Sequence, residues 1–283
     1  MNIKMNTTTL TIKTVDILRT TVVHQRWVAI LVLSIIFSVL GTTYCGASAV
    51  SAQNTTPIAD EHLQYDVICQ WGILWVKAAD GSLSIVREGN RYKAQVIAST
   101  TPFADGIMKV RDTLTTVMQA PDLYPISYKQ VSREGKYHQV NEINFVYRND
   151  STIGDTHITR PGKDYNKQFT IGKEGAVYDM ISIFYRLRNL SYATMNVGDV
   201  IKTYIFSGRQ IETLELEYQG IKAIEIGDTE YQAHYIRFFF YNEDGSKKSD
   251  KISAWVSVDD FIPLQLEGKL PIGSMKVRLR DRK

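Results

Sequence analysis

Short segments in which apolar and polar residues alternate recur along most of the chain, with turn sequences between them. Residues 63–71 are typical, because every second side chain there is apolar, the period of a strand with one buried face. Glu88-Gly-Asn90 and Asn242-Glu-Asp-Gly245 are examples of the turns. The pattern predicts about a dozen strands, excludes alternating βαβ units, and favours a large curved antiparallel sheet or open β-barrel.

Three sites in this pattern need a local interpretation. Trp71-Gly72 is expected to interrupt or bulge the first strand before Ile73–Ala78 continues it. Ala79-Asp-Gly81 is expected to form a turn. Asp259-Asp260 follows a strand-like segment and is interpreted as a hairpin turn, where aspartates cap backbone groups, in preference to a catalytic carboxylate pair.

Val177–Arg188 is the clearest amphipathic helix in the sequence. Its apolar residues share one face at helical spacing, namely Val177, Met180, Ile181, Phe184 and Leu187. We expect this face to pack on the sheet. The polar residues Asp179, Ser182, Arg186 and Arg188 either face a cavity under the helix or form an exposed face with Asp179 capping the helix. We favour the second interpretation.

Residues 1–52 have the features of a secretory leader. Trp27–Leu40 is an almost unbroken apolar run preceded by Arg26, and it is shorter than the roughly 20 apolar residues that a membrane span needs. We expect signal cleavage after Ala52, with Ala49 as the alternative, and export to the periplasm or cell envelope. A flexible arm over residues 53–62 and one β-rich domain over residues 63–283 would follow. An uncleaved leader would be the only contact with a membrane.

The net charge of +3 comes from the leader. Removing the four bases and one acid of residues 1–52 from the 33 bases and 30 acids of the chain leaves equal numbers. A neutral domain has no general electrostatic attraction for nucleic acid, so no nucleic-acid partner is expected. Cys69 is the one cysteine after residue 52 and is interpreted as a buried small apolar residue.

No constellation of catalytic or metal-binding residues stands out. The sequence contains no phosphate-binding loop, dinucleotide glycine motif or nucleophile elbow. The five histidines lack the spacing of metal ligands, so neither a metal nor a cofactor is expected. Whether the protein is an enzyme stays open, but these observations favour a noncatalytic role.

Several short segments, spread in order over most of residues 63–279, together resemble an exported bacterial family labelled domain of unknown function 3108. The positions that carry the resemblance include Trp71, Gly72, Arg111, Asp112, Pro125, Asp179, Ser182, Arg186, Arg188, Trp255, Asp260, Pro263 and Gly273. The long segment before Arg26 departs from the family pattern. The family is exported and β-rich and has no established activity.

The resemblance also implies a fold similar to the open β-barrel of periplasmic lipoprotein carriers (LolA/LolB-like), in which a curved sheet and a helical lid enclose an apolar cavity. Our leading hypothesis is therefore a noncatalytic envelope protein that binds a lipophilic ligand or a partner's apolar segment. Candidate cavity or lid residues are Met180, Ile181, Phe184, Leu187 and Trp71. The alternatives are a scaffold or glycan-binding module of the envelope and, less favoured, an envelope hydrolase.

Overall fold

The computed structural model describes residues 57–242, 245–269 and 273–283. The expected leader and residues 53–56 of the expected arm lie outside this range. The described residues form fifteen strands and two short α-helices. Their bounds are β1 Glu61–Trp71, β2 Leu74–Glu88, β3 Arg91–Thr100, α1 Pro102–Asp105, β4 Arg111–Gln119, β5 Pro125–Glu134, β6 Tyr137–Arg148, β7 Ser151–Thr159, β8 Asn166–Glu174, β9 Val177–Tyr178, α2 Ser182–Arg188, β10 Val200–Phe206, β11 Ile211–Ile226, β12 Thr229–Tyr241, β13 Lys247–Ser257, β14 Pro263–Lys269 and β15 Ser274–Arg282.

All fifteen strands belong to one sheet, with β1 in its middle. Strands β2 to β8 follow on one side of β1, and β15 back to β9 follow on the other. Neighbours are antiparallel except β9 and β10. Gly175, in the short connection from edge strand β8 to edge strand β9, forms a bridge with Ser151 of β7. The sheet curls into a nearly closed, barrel-like form. The prediction of a large curved antiparallel sheet is confirmed, but the strands number fifteen, against about a dozen expected.

The alternating pattern of the sequence corresponds to an inner and an outer face of this sheet. In β4, for example, Asp112, Leu114, Thr116 and Met118 are buried, and the residues between them are only half-buried. A period of two separates the faces of a pleated strand. The inner faces, together with α2, form one apolar core that includes Leu63, Ile85, Tyr128 and Phe240.

The first hairpin turns earlier than the sequence pattern predicts. β1 ends at Trp71, β2 begins at Leu74, and Gly72 has a φ of 61°, a backbone conformation that glycine adopts without steric strain. Residues 79–81, expected to form a turn, instead continue β2. Asp80 lies in a sequence typical of turns, but it is part of the strand. Its carboxylate lies 2.8 Å from Lys77 Nζ and forms ion pairs on the outer face of the sheet.

The predicted helix over Val177–Arg188 is too long. Val177 and Tyr178 form β9 and pair with β10, and α2 begins only at Ser182. The apolar spacing of the whole segment was misleading because both the strand and the helix are buried. A buried segment carries apolar residues whatever its backbone conformation. Five of the seven residues of α2 are buried, so α2 lies inside the curled sheet.

Contacts between the two sides of the sheet close the barrel-like form. The Phe206 ring of β10 meets the Phe145 ring of β6 edge to face, with centroids 6.2 Å apart. Asn141 Nδ2 donates to the carbonyl oxygen of Ser207 over 3.1 Å.

The start of β1 is also bonded to the end of the chain. His62 and Lys283 exchange two backbone hydrogen bonds of 2.9 Å. β1 begins at Glu61, two residues before the expected start of the domain.

Candidate ligand site beneath the buried helix

Asp179 holds the start of α2. Its Oδ1 accepts from the backbone N–H groups of Ile181 at 2.7 Å and Ser182 at 2.9 Å. Ser182 Oγ accepts from the Asp179 N–H at 2.8 Å. These bonds satisfy amide groups that a helix start leaves without partners. Asp179 Oδ2 accepts from Thr116 Oγ1 of β4 at 2.5 Å, which ties the helix start to the sheet.

The end of α2 is held by a buried ion pair. The Arg188 guanidinium contacts the Glu61 carboxylate of β1, with 3.2 Å between Nη2 and Oε2. One turn later, Tyr192 Oη donates to the Leu187 carbonyl over 2.8 Å. Tyr192 also stacks on His234, with ring centroids 4.1 Å apart. Helix α2 is therefore fixed by polar contacts at both ends.

The expectation of an exposed polar face on this helix is wrong. Asp179 and Ser182 are fully buried, and Arg188 is 8% exposed. Burial raises the pKa of the Asp179 carboxyl, and its hydrogen bonds to Thr116, Ser182 and Ile181 oppose that rise. The expected capping role of Asp179 is present. Arg186 is half-buried and lowers the pKa of Tyr178, although burial outweighs this effect and raises that pKa to about 12.

A small apolar cavity of about 60 Å³ lies between the start of α2 and the sheet. The helix side consists of Met180, Ile181 and Phe184. The sheet side consists of Tyr65, Gly81, Ser82, Leu83, Val96, Leu266 and Val277. Val96, Phe184 and Leu266 are only partly buried, so the cavity is not sealed from the surface.

The polar side chains of the cavity wall are Tyr65 and Ser82. Tyr65 Oη donates to the carbonyl oxygen of Pro263 over 3.0 Å. Burial raises the pKa of this phenol far above its ordinary value, and the Arg188 charge opposes that rise. The hydroxyl therefore stays neutral and bonded. Because the remaining side chains of the wall are apolar, the cavity suits an apolar group.

The structure brings together three of the five candidate cavity residues. Met180, Ile181 and Phe184 line the cavity. Leu187 is buried in the core but is not part of the cavity wall. Trp71 ends β1, and its side chain lies outside the described residues.

Sequence reasoning missed the sheet side of the cavity. The alternation in β1, β2 and β3 identifies Tyr65, Leu83 and Val96 as inward-facing. It does not show that these strands lie beside β14 and β15, because that neighbourhood depends on β1 pairing with β15. Leu266 and Val277 thus come from the last two strands of the chain.

The other residues that carry the family resemblance have structural partners away from the cavity. Arg111 Nη2 lies 2.7 Å from Asp105 Oδ2, and this contact lowers the pKa of Asp105 to about 2. Asp112 Oδ1 accepts from the Arg133 N–H at 2.8 Å. The carbonyl oxygen of Pro125 accepts from Tyr147 Oη at 2.6 Å.

Near the end of the chain, the remaining members of that set also have local contacts. Asp260 Oδ1 accepts from the Ile262 N–H at 3.2 Å, within the expected turn. The Trp255 ring packs on Tyr235, with centroids 4.7 Å apart. A Cβ on Gly273 would lie 2.6 Å from the Gln70 carbonyl oxygen, so only glycine fits there. These contacts stabilise strands and turns.

The side chains and helices of the described residues also bear on metal binding and on membrane crossing. Among residues 57–242, 245–269 and 273–283, no group of three or more His, Cys, Asp or Glu side chains is placed to hold a metal. Within the same range, no helix has the length and apolar character required to cross a membrane.

A larger groove of about 450 Å³ lies on the outer face, between Trp75 and Tyr235. Its wall includes Arg237, Glu267 and Lys276. Lys276 Nζ lies 3.0 Å from Glu267 Oε1, and Arg237 Nη1 lies 3.6 Å from Glu217 Oε2. Charged side chains in ion pairs thus form part of the groove wall. Covering them with an apolar ligand would remove them from water, so the groove is less suited to a lipophilic ligand than the cavity under α2.

Comparisons with known proteins locate the chain in a family and a fold. A crystal structure of a β-barrel-like protein of domain of unknown function DUF1849 from Brucella abortus is similar, with a TM-score of 0.56 and 10% identity. The match covers 80% of this chain and 98% of that one, and at this identity it shows the fold alone. Curated proteins give no match. The family model of the protein of unknown function DUF3108 matches residues 64–280, so the chain belongs to the DUF3108 family.

Proposed function

We propose that this protein is a noncatalytic, exported binding protein of the cell envelope that holds the apolar end of a lipophilic ligand beneath α2. The observation that carries the proposal is the apolar, unsealed cavity formed by Met180, Ile181 and Phe184 against the inner face of the sheet. The surrounding barrel-like fold agrees with the carrier architecture expected from the sequence. The leader before residue 53 supports export.

The size of the cavity defines what it can hold. Pockets for drug-sized ligands have volumes of about 300–1,000 Å³, several times the 60 Å³ found here. The cavity as it stands holds only the terminal carbons of a chain. A longer ligand enters only when Phe184 or the whole of α2 shifts. Phe184 is partly exposed, whereas Met180 and Ile181 are buried. We therefore assign Phe184 the role of a gate that controls entry to the cavity.

Filling the cavity tests this function. In Val96→Phe, the larger side chain occupies the space, and we expect the affinity for a fluorescent fatty acid to fall about tenfold or more, a change of about 1.4 kcal/mol. The matched control is Ile97→Phe, whose neighbouring side chain lies on the outer face and is 41% exposed. Fluorescence titration of the full chain measures both.

Equal affinities of the two variants and the unaltered protein would overturn the proposal. Circular dichroism establishes that Val96→Phe is folded. Leu266→Phe fills the same cavity from β14. It gives a second test if Val96→Phe does not fold. Native mass spectrometry of protein purified from the envelope should show bound lipid in the unaltered protein and less in either cavity variant.

A further inference from the structure

Large exposed apolar side chains are concentrated at one end of the sheet. Of the ten found among the described residues, five belong to the β1–β2 hairpin or to the connection between β3 and β4. We call these five residues the apolar rim, and they are Ile73, Leu74, Trp75, Phe103 and Ile107. Ile73 is 93% exposed, Leu74 64% and Phe103 62%. Exposed apolar residues scattered singly are ordinary, but a group in one region indicates a binding surface.

The topology puts both segments at the same end. The turn between β1 and β2 lies where β2 begins, and because β3 is antiparallel to β2, β3 ends there. The Thr101 N–H donates to the carbonyl oxygen of Ala78 over 2.9 Å, which holds the start of α1 against β2. Phe103 lies two residues after Thr101, and Ala78 lies three residues after Trp75. This hydrogen bond therefore brings the Phe103 segment close to the Trp75 segment.

Part of the backbone of the rim is already hydrogen-bonded, although β3 pairs with β2 only from Ala79 onward. Trp71 and Leu74 are ladder partners that close the hairpin. In α1, the Asp105 N–H donates to the Thr101 carbonyl at 2.8 Å, and the Ile107 N–H donates to the Ala104 carbonyl at 2.9 Å. Peptide groups that have partners can enter an apolar environment, whereas unpaired ones resist it. The paired peptide groups of the hairpin and of α1 can thus leave water at little cost.

Exposed charges differ between the two ends of the sheet. Connections at the rim end carry the exposed cations Lys109, Arg133, Lys136, Lys163, Arg209 and Lys269, against the exposed acid Asp164. At the opposite end, the exposed acids are Asp60, Glu88, Asp150, Glu174, Glu225, Asp228, Glu230, Asp259 and Asp281, and the exposed bases are Arg87, Arg91, Arg148, Lys173, Arg282 and Lys283. Among the residues that the structure describes, the rim end is therefore basic and the opposite end has a small excess of acids.

We propose that the apolar rim docks onto the surface of an anionic lipid bilayer. Ile73, Leu74 and Phe103 enter the boundary between headgroups and acyl chains. Lys109 and Lys136 contact lipid phosphate groups, since basic side chains near an anionic surface are attracted to it. Trp75 is suited to the interface because its ring is apolar and its N–H is polar. This contact is separate from the leader and needs no ligand in the cavity, so it goes beyond the proposed function.

A local probe tests the docking, because the apolar run in the leader could itself bind lipid. We would attach an environment-sensitive fluorophore at Ile73→Cys in the full chain with Cys45→Ser and Cys69→Ser. Vesicles of phosphatidylcholine with phosphatidylglycerol should shift its emission to the blue. The matched control is Val197→Cys, 71% exposed in the loop before β10 at the opposite end, which should not respond.

The charge contribution is tested in the same labelled protein. Lys109→Gln with Lys136→Gln should weaken the response to anionic vesicles about thirtyfold, because basic residues near such a surface each contribute roughly 1 kcal/mol. High salt should weaken it similarly. No shift at position 73, or an equal shift at positions 73 and 197, would overturn the proposal, and the former would point to a protein partner for the rim. The cavity experiment is unaffected by either result.

Discussion

At the scale of single residues, Asp112 is a buried carboxyl group with an incomplete set of hydrogen-bond partners. It is 1% exposed, and its Oδ2 has no hydrogen-bond partner among the described residues. Burial raises its pKa to about 6, although the Arg133 N–H and Ser132 act in the opposite direction. Below the ordinary pKa of about 3.9, the group is protonated in both the folded and the unfolded chain. As the pH rises through 6, the Asp112 carboxyl ionises in the folded chain, where its charge is buried. In the unfolded chain the same charge is exposed to water.

This asymmetry predicts that Asp112 weakens the fold at neutral and alkaline pH. The stabilising contribution of a raised carboxyl pKa is present at low pH and is lost as the pH rises through the folded value. Asp112→Asn keeps an acceptor for the Arg133 N–H and should be more stable than the unaltered protein by up to about 3 kcal/mol at about pH 8. At about pH 4 the difference should vanish. Urea unfolding at both pH values measures it.

Asp259→Asn is the control for that experiment, because Asp259 is exposed in the β13–β14 turn, where a substitution should change the free energy of unfolding by about 0.5 kcal/mol or less. A variant at Asp112 that is less stable than the unaltered protein at both pH values would contradict the prediction.

Individual residues also show where sequence reasoning succeeds. The capping role of Asp179 was predictable because caps act within a few residues of themselves. Its burial was not, since this depends on Thr116, which is 63 positions away. The same holds for Arg188 and Glu61, which are 127 positions apart. Partners within a turn are encoded locally, whereas partners across the sheet follow from strand order.

At the scale of elements, α2 depends on its polar start. A seven-residue helix is too short to be stable alone, so its position is set by Asp179, Thr116 and the core around it. The amphipathic pattern identified the apolar residues correctly. It could not locate the boundary between β9 and α2, because residues on both sides of Asp179 are buried.

Removing this cap should loosen α2. Asp179→Ala loses two backbone hydrogen bonds and leaves Thr116 Oγ1 without its carboxylate partner, so we expect a loss of about 2–3 kcal/mol in the free energy of unfolding. Asp179→Asn retains an acceptor for the two amides and should lose less. Urea denaturation of the purified variants measures the loss.

The matched control is Asp199→Ala. Asp199 Oδ2 accepts a comparable bond of 2.8 Å from the Asn196 N–H, but at an exposed loop, where water replaces the lost partner. We expect a change of about 0.5 kcal/mol or less there. Equal losses for Asp179→Ala and Asp199→Ala would show that the start of α2 is not held in the way described.

At the scale of the whole molecule, the two sides of the sheet meet through a contact that only glycine permits. A Cβ on Gly154 of β7 would lie 2.1 Å from the Phe206 ring of β10. Nothing in the sequence around Gly154 indicates this contact, because it joins strands from opposite sides of β1. The alternating pattern predicted a curved sheet, but the pattern is the same for an open and a nearly closed one.

Gly154→Ala should therefore weaken the closure of the sheet. The added methyl group clashes with Phe206, and overpacking of this kind reduces stability by about 1–3 kcal/mol. Gly172→Ala on β8 is the control, because its Cβ would be 3.7 Å from Ile153, an ordinary contact. Thermal unfolding monitored by circular dichroism compares the two.

A double variant separates the clash from a general intolerance of alanine at this position. Phe206→Leu removes the ring atoms that Gly154→Ala would strike, so the loss in the double variant should be smaller than the sum of the two single losses. Strict additivity would contradict the proposed contact.

The central position of β1 has a consequence for the order in which the chain can fold. β1 is synthesised first among the strands, but one of its two neighbours is β15, synthesised last, and Asp66 and Arg280 meet across 214 positions of sequence. Until the last residues emerge from the ribosome, one edge of β1 has no partner, and contacts between such distant residues form slowly. A chain destined for translocation across a membrane has to remain unfolded until it has crossed. In the export that we propose, the position of the final strand beside the first would delay folding until the chain has crossed.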